Sequence, residues 1–201
     1  MLKILLKYTR IVDAVSERLG WLSMILVILT VIIGFYNVLA RYLGRFIGVR
    51  LSTNLFIELQ WYLYSLVFFL GFAYILKHGI NVRVDFIYAN WPKRRKAMLD
   101  FWGHIFFLIP YSLLGIYVTY KPVLTSWGRL PGGGWGPMEM SPDPSGLPRA
   151  PIKTMIIVAF VTLFFQAISE IIKLYVVMTG RDEEVPVVVE ELEVEAPLRI
   201  E

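Results

Sequence analysis

The sequence predicts an all-α integral membrane protein: four transmembrane helices preceded by an N-terminal amphipathic interfacial helix. Four apolar runs carry the prediction, at residues 19–40, 55–76, 97–120 and 152–178 of a 201-residue chain that is 57% hydrophobic. At about 1.5 Å per helical residue, each run is long enough to cross a hydrocarbon core about 30 Å thick. Backbone polar groups in lipid must be satisfied within a helix or a closed barrel, and these runs are too long and too uniformly apolar for barrel strands.

Residues 1–18 come first. Lys3, Lys7 and Arg10 fall at i, i+4 and i+7 on one helical face, and Leu5, Tyr8, Val12 and Val15 on another. That pattern suits a helix lying in the interface with its basic side toward anionic headgroups. A plain cytoplasmic extension of the first span fits the same residues. The first run exceeds the apolar core of a secretory signal, and no A-x-A site follows it, so it is expected to remain in the chain. Within it, Thr30 and Gly34 form a small-xxx-small pair suited to close helix contact.

A short basic loop with Arg41, Arg45 and Arg50 leads to the second run, rich in aromatics, where Trp61 and Tyr62 stand at the level of an interfacial belt. Gly79 breaks that helix, residues 81–85 alternate apolar and polar, and Asn90 and Pro92 suit the start of the next helix. Pro110 predicts a kink in the third run. Residues 121–151 are thick with glycine and proline, so neither helix nor regular sheet is expected there, and Trp127 and Trp135 are placed to dip into the interface. Pro151 suits the first turn of the fourth helix. Residues 179–201 hold Asp182, Glu183, Glu184, Glu190, Glu191, Glu193, Glu195 and Glu201, half of the chain's 16 acids, and are expected to be an acidic, disordered cytoplasmic tail.

With four spans, both termini share a side with the loop from Lys77 to Lys96. That side carries 13 of the 20 lysines and arginines. The positive-inside rule therefore places both termini in the cytoplasm and residues 121–151 outside. Arg41, Arg45 and Arg50 run against this bias. The basic residues flank spans, which makes topology a better explanation of the net charge of +4 than nucleic acid.

The chemistry-bearing residues are sparse. There is no cysteine, which excludes disulfides, thiolate metal sites, iron–sulfur clusters and cysteine nucleophiles. No catalytic triad, phosphate loop or metal motif stands in the sequence; the PGGGWG stretch lacks the lysine and following helix of a nucleotide site. Glu58 lies one turn into the second helix and Arg41 closes the first on the same side. The two are expected to pair across the short loop or to meet a partner, with simple interfacial solvation as the alternative. Glu170 and Lys173, at i and i+3 with Gln166 a turn earlier, are expected to make a local pair at the inner interface. No repeat and no midplane carboxylate marks an ion-coupled transport site. His78 and His104, toward the cytoplasmic ends of the second and third helices, would suit two axial ligands, so a haem- or quinone-associated membrane anchor of an oxidoreductase is the rival function.

Three stretches resemble the small membrane subunit of the tripartite ATP-independent periplasmic (TRAP) transporters, the DctQ-like family. FYNVLARYL contains Asn37 and Arg41. ELQWYLYSLVFFLGFAYILKHGINVRVD contains Glu58, Trp61, Gly71, Arg83 and Asp85. GLPRAPIKTMIIVAFVTLFFQAISEIIK is similar to the family's last helix. Asn81 departs from the histidine often found there. The resemblance implies a non-enzymatic bacterial inner-membrane protein, free of cofactor. It would scaffold a large subunit that holds the substrate and sodium sites, for uptake of an organic anion, a carboxylate, brought by a periplasmic binding protein. The seven residues just named are then interface or structural positions. Trp127, Arg129, Trp135 and Arg149 are candidate contacts for the binding protein.

Overall fold

A computed structural model of the protein describes residues 2–49, 51–80 and 91–180. Four helices in it are long and apolar enough to span a membrane, and no strand occurs among the described residues. Helix α1 runs Leu2–Ile47 and α2 Asn54–Lys77. The third span, Lys93–Ser126, is built from α3 (Lys93–Gly103), a π-helical turn (His104–Leu108) and α4 (Ile109–Ser126). Helix α5 is Ala150–Met178. Arg50, Asn81, Arg83, Asp85 and the acidic tail beyond Gly180 lie outside the described residues.

The chain's local chemistry accounts for the ends. Gly79, at φ +59°, stops α2, and the Ile80 N–H returns to the Ile75 carbonyl at 3.3 Å, closing the last turn. Pro92 sits extended before α3, and its carbonyl takes the N–H groups of Arg95 and Lys96. Pro110 has no N–H to offer Phe106, and the helix widens just ahead of it, the Ile109 N–H reaching back to His104. The expected irregularity is thus a π turn. Helix α4 also holds to Ser126, beyond the end of the apolar run at 120, and the glycine-rich connection begins only after it.

Residues 2–18 are helical and pass into the first span without a break. At about 1.5 Å per residue, the 46 residues of α1 extend about 70 Å, more than twice a hydrocarbon core. The buried stripe of α1 is not the apolar face read from sequence. It is Thr9, Asp13, Ser16, Gly20, Ser23, Asn37, Ala40 and Gly44, recurring mostly at intervals of three and four, while Val15, Met24, Ile28, Val31 and Phe35 are exposed. Small and short polar side chains let helices approach closely where lipid gives apolar groups no reason to leave the surface. Of the four spans α5 is the most buried: a third (33%) of its most apolar window is buried, against 6% for α1.

Contacts divide the chain into two units, each drawing on all four long segments. The first comprises Met1–Arg18, Phe72–Leu114 and Phe160–Glu201. In it Ala97, Leu174 and Val177 form an apolar core, with Phe101 and Met178 against it, and Phe160 meets the ring edges of Phe72 and Tyr111. The second comprises Leu19–Gly71 and Gly115–Ala159. There Ser23 donates to the Val67 carbonyl, Gly34 lies against the Gln60 side chain, and Gly71 is buried.

Candidate functional site

In the first unit a buried polar cluster joins the start of α1 to α5. Lys173 Nζ lies 2.9 Å from Asp13 Oδ2 and 3.1 Å from Glu170 Oε1. The Gln166 amide donates to Asp13 and Glu170 at 2.8 and 2.7 Å, Ser169 donates to Asp13, and Ser16 donates to the Gln166 oxygen. Lys173 is 1% exposed and Gln166 and Ser169 are fully enclosed. The expected interfacial Glu170–Lys173 pair is therefore corrected. It does form, but inside the protein, because Asp13 and Gln166 supply the ligation that water would otherwise give. Asp13 and Ser16 escaped the sequence reading, although Thr9, Asp13 and Ser16 at i, i+4 and i+7 were the available signal.

His78 and His104 belong to the same unit. His78 Nε2 is 3.0 Å from Glu17 Oε2, an oxygen that also receives Lys77 at 2.8 Å, and the imidazole packs on Tyr74. His104 donates from Nδ1 to the Asp100 carbonyl. Among the described residues, no cluster of three or more His, Cys, Asp or Glu side chains is arranged to hold a metal.

In the second unit Glu58 is the anchor of the glycine- and proline-rich segment. It is 2% exposed and accepts the Ser141 hydroxyl at 2.7 Å and the Leu147 N–H at 3.3 Å. The positive charge of Arg149 also acts on it. Arg149 in turn lies over the Trp61 ring, 5.6 Å from its centroid. The anticipated Arg41–Glu58 pair does not form: both carboxylate oxygens are turned to Ser141 and Leu147, while Arg41 is exposed. Asn37 is buried and accepts the Ser52 hydroxyl.

A second carboxylate ties the segment to α4 and α5. Glu139 accepts Lys153 Nζ at 2.6 Å and the Ser126 hydroxyl, its N–H bonds the Ser126 carbonyl, and its carbonyl takes the Arg149 N–H. Trp127 donates its indole N–H to Thr154 at 2.8 Å. Arg129 and Trp135, both exposed, face one another in an isolated antiparallel bridge. At Gly128 (φ +97°) any Cβ would stand 2.3 Å from the Gly136 carbonyl oxygen, so the glycines permit a backbone approach that no other residue allows. The segment has no regular sheet, as expected, yet is folded onto two carboxylates.

Lys153, followed by Ser126, holds the Glu139 carboxyl below the usual glutamate range. A depressed folded-state pKa adds stability that is present above the unfolded value, about 4.3, and is lost as pH falls through the folded value. Tryptophan emission of the wild type is thus expected to hold steady through pH 5 and to shift only below about pH 4.3. In Glu139→Gln that acid transition is weakened. Identical profiles in the two proteins would remove Glu139 from the account.

Four membrane-length helices, with the polar groups just described joining helix to helix and helix to loop, define a multi-pass α-helical membrane protein. The family model for tripartite ATP-independent periplasmic transporters, DctQ component, matches residues 29–176. The chain belongs to that family: it is a small permease subunit of a TRAP transporter, an inner-membrane transport component, and the family is not one of enzymes. No curated protein and no solved structure matches the chain. The match takes in Asn37, Arg41, Glu58, Trp61, Gly71 and the loop to Arg149, whereas Asp13 and Ser16 precede it.

Proposed function

We propose that this subunit is a static brace for a larger membrane subunit, which holds the substrate and sodium sites and imports an organic anion of carboxylate type delivered by a periplasmic binding protein. One observation carries this reading. The buried charges of the subunit are turned on one another, Asp13 and Glu170 on Lys173, and Glu58 on the loop, while large apolar side chains of α1 and α4 remain uncovered. A side chain locked in such a network is not available to bind and release a solute, and an uncovered apolar helix face suits lipid or another span.

The lysine and arginine distribution supports an orientation with both termini in the cytoplasm and residues 127–149 in the periplasm. The exposed Lys7, Arg10 and Arg18 would then meet anionic headgroups of the inner leaflet, setting the depth of α1. Of the loop residues, Arg129 and Trp135 offer exposed surface to a binding protein, while Trp127 and Arg149 are engaged in holding the loop in shape.

Affinity purification of the tagged chain from native membranes is expected to recover a large multi-span protein in fixed stoichiometry. The chain reconstituted alone in liposomes is expected to move no carboxylate. Solute flux through the isolated chain would overturn the brace.

A further inference from the structure

We propose that the hollow at the α1–α2 connection holds the phosphate of a membrane phospholipid, gripped by Arg41 and Arg45. The hollow has a volume of about 420 Å³. Arg41 and Arg45 line it one helical turn apart, with Ala40, Gly44 and Ile57 beside them. Neither guanidinium has a hydrogen bond or ion pair among the described residues. Of the other polar side chains there, Ser52 donates to Asn37 and the Asn54 amide donates to the Pro144 carbonyl, which leaves the small neutral Thr53 hydroxyl beside the two arginines. The two arginines are the charged side-chain donors left for a ligand, and paired guanidinium forks match the oxygens of a phosphate.

Place and surroundings select a lipid over a free ion. The hollow lies where α1 ends and α2 begins, at the ends of two spans, which is the depth of headgroup phosphates. Phe46 is 87% exposed and Ile57 44% exposed, apolar surface from which a hydrated ion gains nothing but along which an acyl chain can lie. The sequence supplies an independent reason to seek a ligand. Arg41 and Arg45 stand on the side where the positive-inside rule disfavours them, so topology does not explain their presence. The inference rests on the membrane-spanning fold and, for its topological argument, on the proposed orientation, and it stands apart from the brace.

Native mass spectrometry of the full chain, delipidated in detergent and titrated with phosphatidylglycerol, tests it. The wild type should retain a phosphatidylglycerol adduct that the matching diacylglycerol, lacking phosphate, does not reproduce and that millimolar inorganic phosphate does not displace. Arg41→Gln with Arg45→Gln should reduce adduct occupancy by about tenfold or more. Ile57→Trp, which fills the hollow and keeps both arginines, should do the same, and it carries the test if the double variant fails to fold. Equal adducts in wild type and Ile57→Trp overturn the proposal. So does saturable binding of inorganic phosphate that displaces the lipid, which would make this a free-anion site. Loss of a copurifying protein from the double variant with the lipid adduct intact also overturns it, assigning the arginines to a protein partner.

Discussion

Exchanging Lys173 for methionine is expected to destabilise the solubilised protein by about 3–5 kcal/mol, the usual result of stripping one partner from a buried ion cluster. Methionine keeps much of the stem volume, so the loss is electrostatic. Lys173 is the cation between Asp13 and Glu170, both nearly inaccessible, and without it two carboxylates share one enclosed site with only amide and hydroxyl donors left. For a chain of this length the melting temperature should fall by roughly 6–20 °C.

Adding Asp13→Asn and Glu170→Gln to Lys173→Met removes every charge at once while keeping amides that can bond Ser16, Gln166 and Ser169, so most of the lost stability should return. A single Lys173→Met variant that melts with the wild type would show that the cluster contributes nothing. So many large apolar residues cover α1 that apolar packing alone does not select one of its faces. In the first unit, the stripe of Thr9, Asp13 and Ser16 distinguishes the face that meets α5.

The spans were legible because lipid imposes length and apolarity on every helix that crosses it, and α2 and α5 coincide closely with their runs. The Glu170–Lys173 pair was legible for a local reason, its i, i+3 spacing. Asp13 was not, since its partners on α5 lie more than 150 residues away, and nothing in local spacing registers such a contact. The mistaken Arg41–Glu58 pairing has the same root. Opposite charges near one another in sequence suggested a bridge, whereas the carboxylate's actual donors come from residues 83 and 89 positions further on. The glycine-rich loop was read rightly as irregular. What composition conceals is that an irregular loop can still be ordered when its glycines allow close approach, to backbone at Gly128 and to the Ser141 side chain at Gly146.

Glu58→Ala is expected to release that loop without unfolding the helices. In the wild type the Ser141 hydroxyl and the Leu147 N–H converge on the two carboxylate oxygens, and the chain between them is closed by the Ser141 N–H on the Leu147 carbonyl. A Cβ on Gly146 would come within 2.3 Å of Ser141, so the turn is drawn tight around its anchor. Without the carboxylate those donors lose their acceptor, and the Arg149 guanidinium loses its counter-charge. Tryptic cleavage after Arg149, half-buried in the wild type, should quicken by at least about tenfold, as expected when hydrogen bonds to a charged acceptor are removed. Glu58→Gln should give a partial effect, since its carbonyl still accepts from Ser141 while its NH2 faces the Leu147 N–H as one donor against another. Arg41→Ala should leave cleavage unchanged, because the arginine that sequence proximity suggested has no bond to Glu58. If Arg41→Ala accelerated cleavage as Glu58→Ala does, the loop would be held by the pair across the α1–α2 connection and not by Ser141 and Leu147.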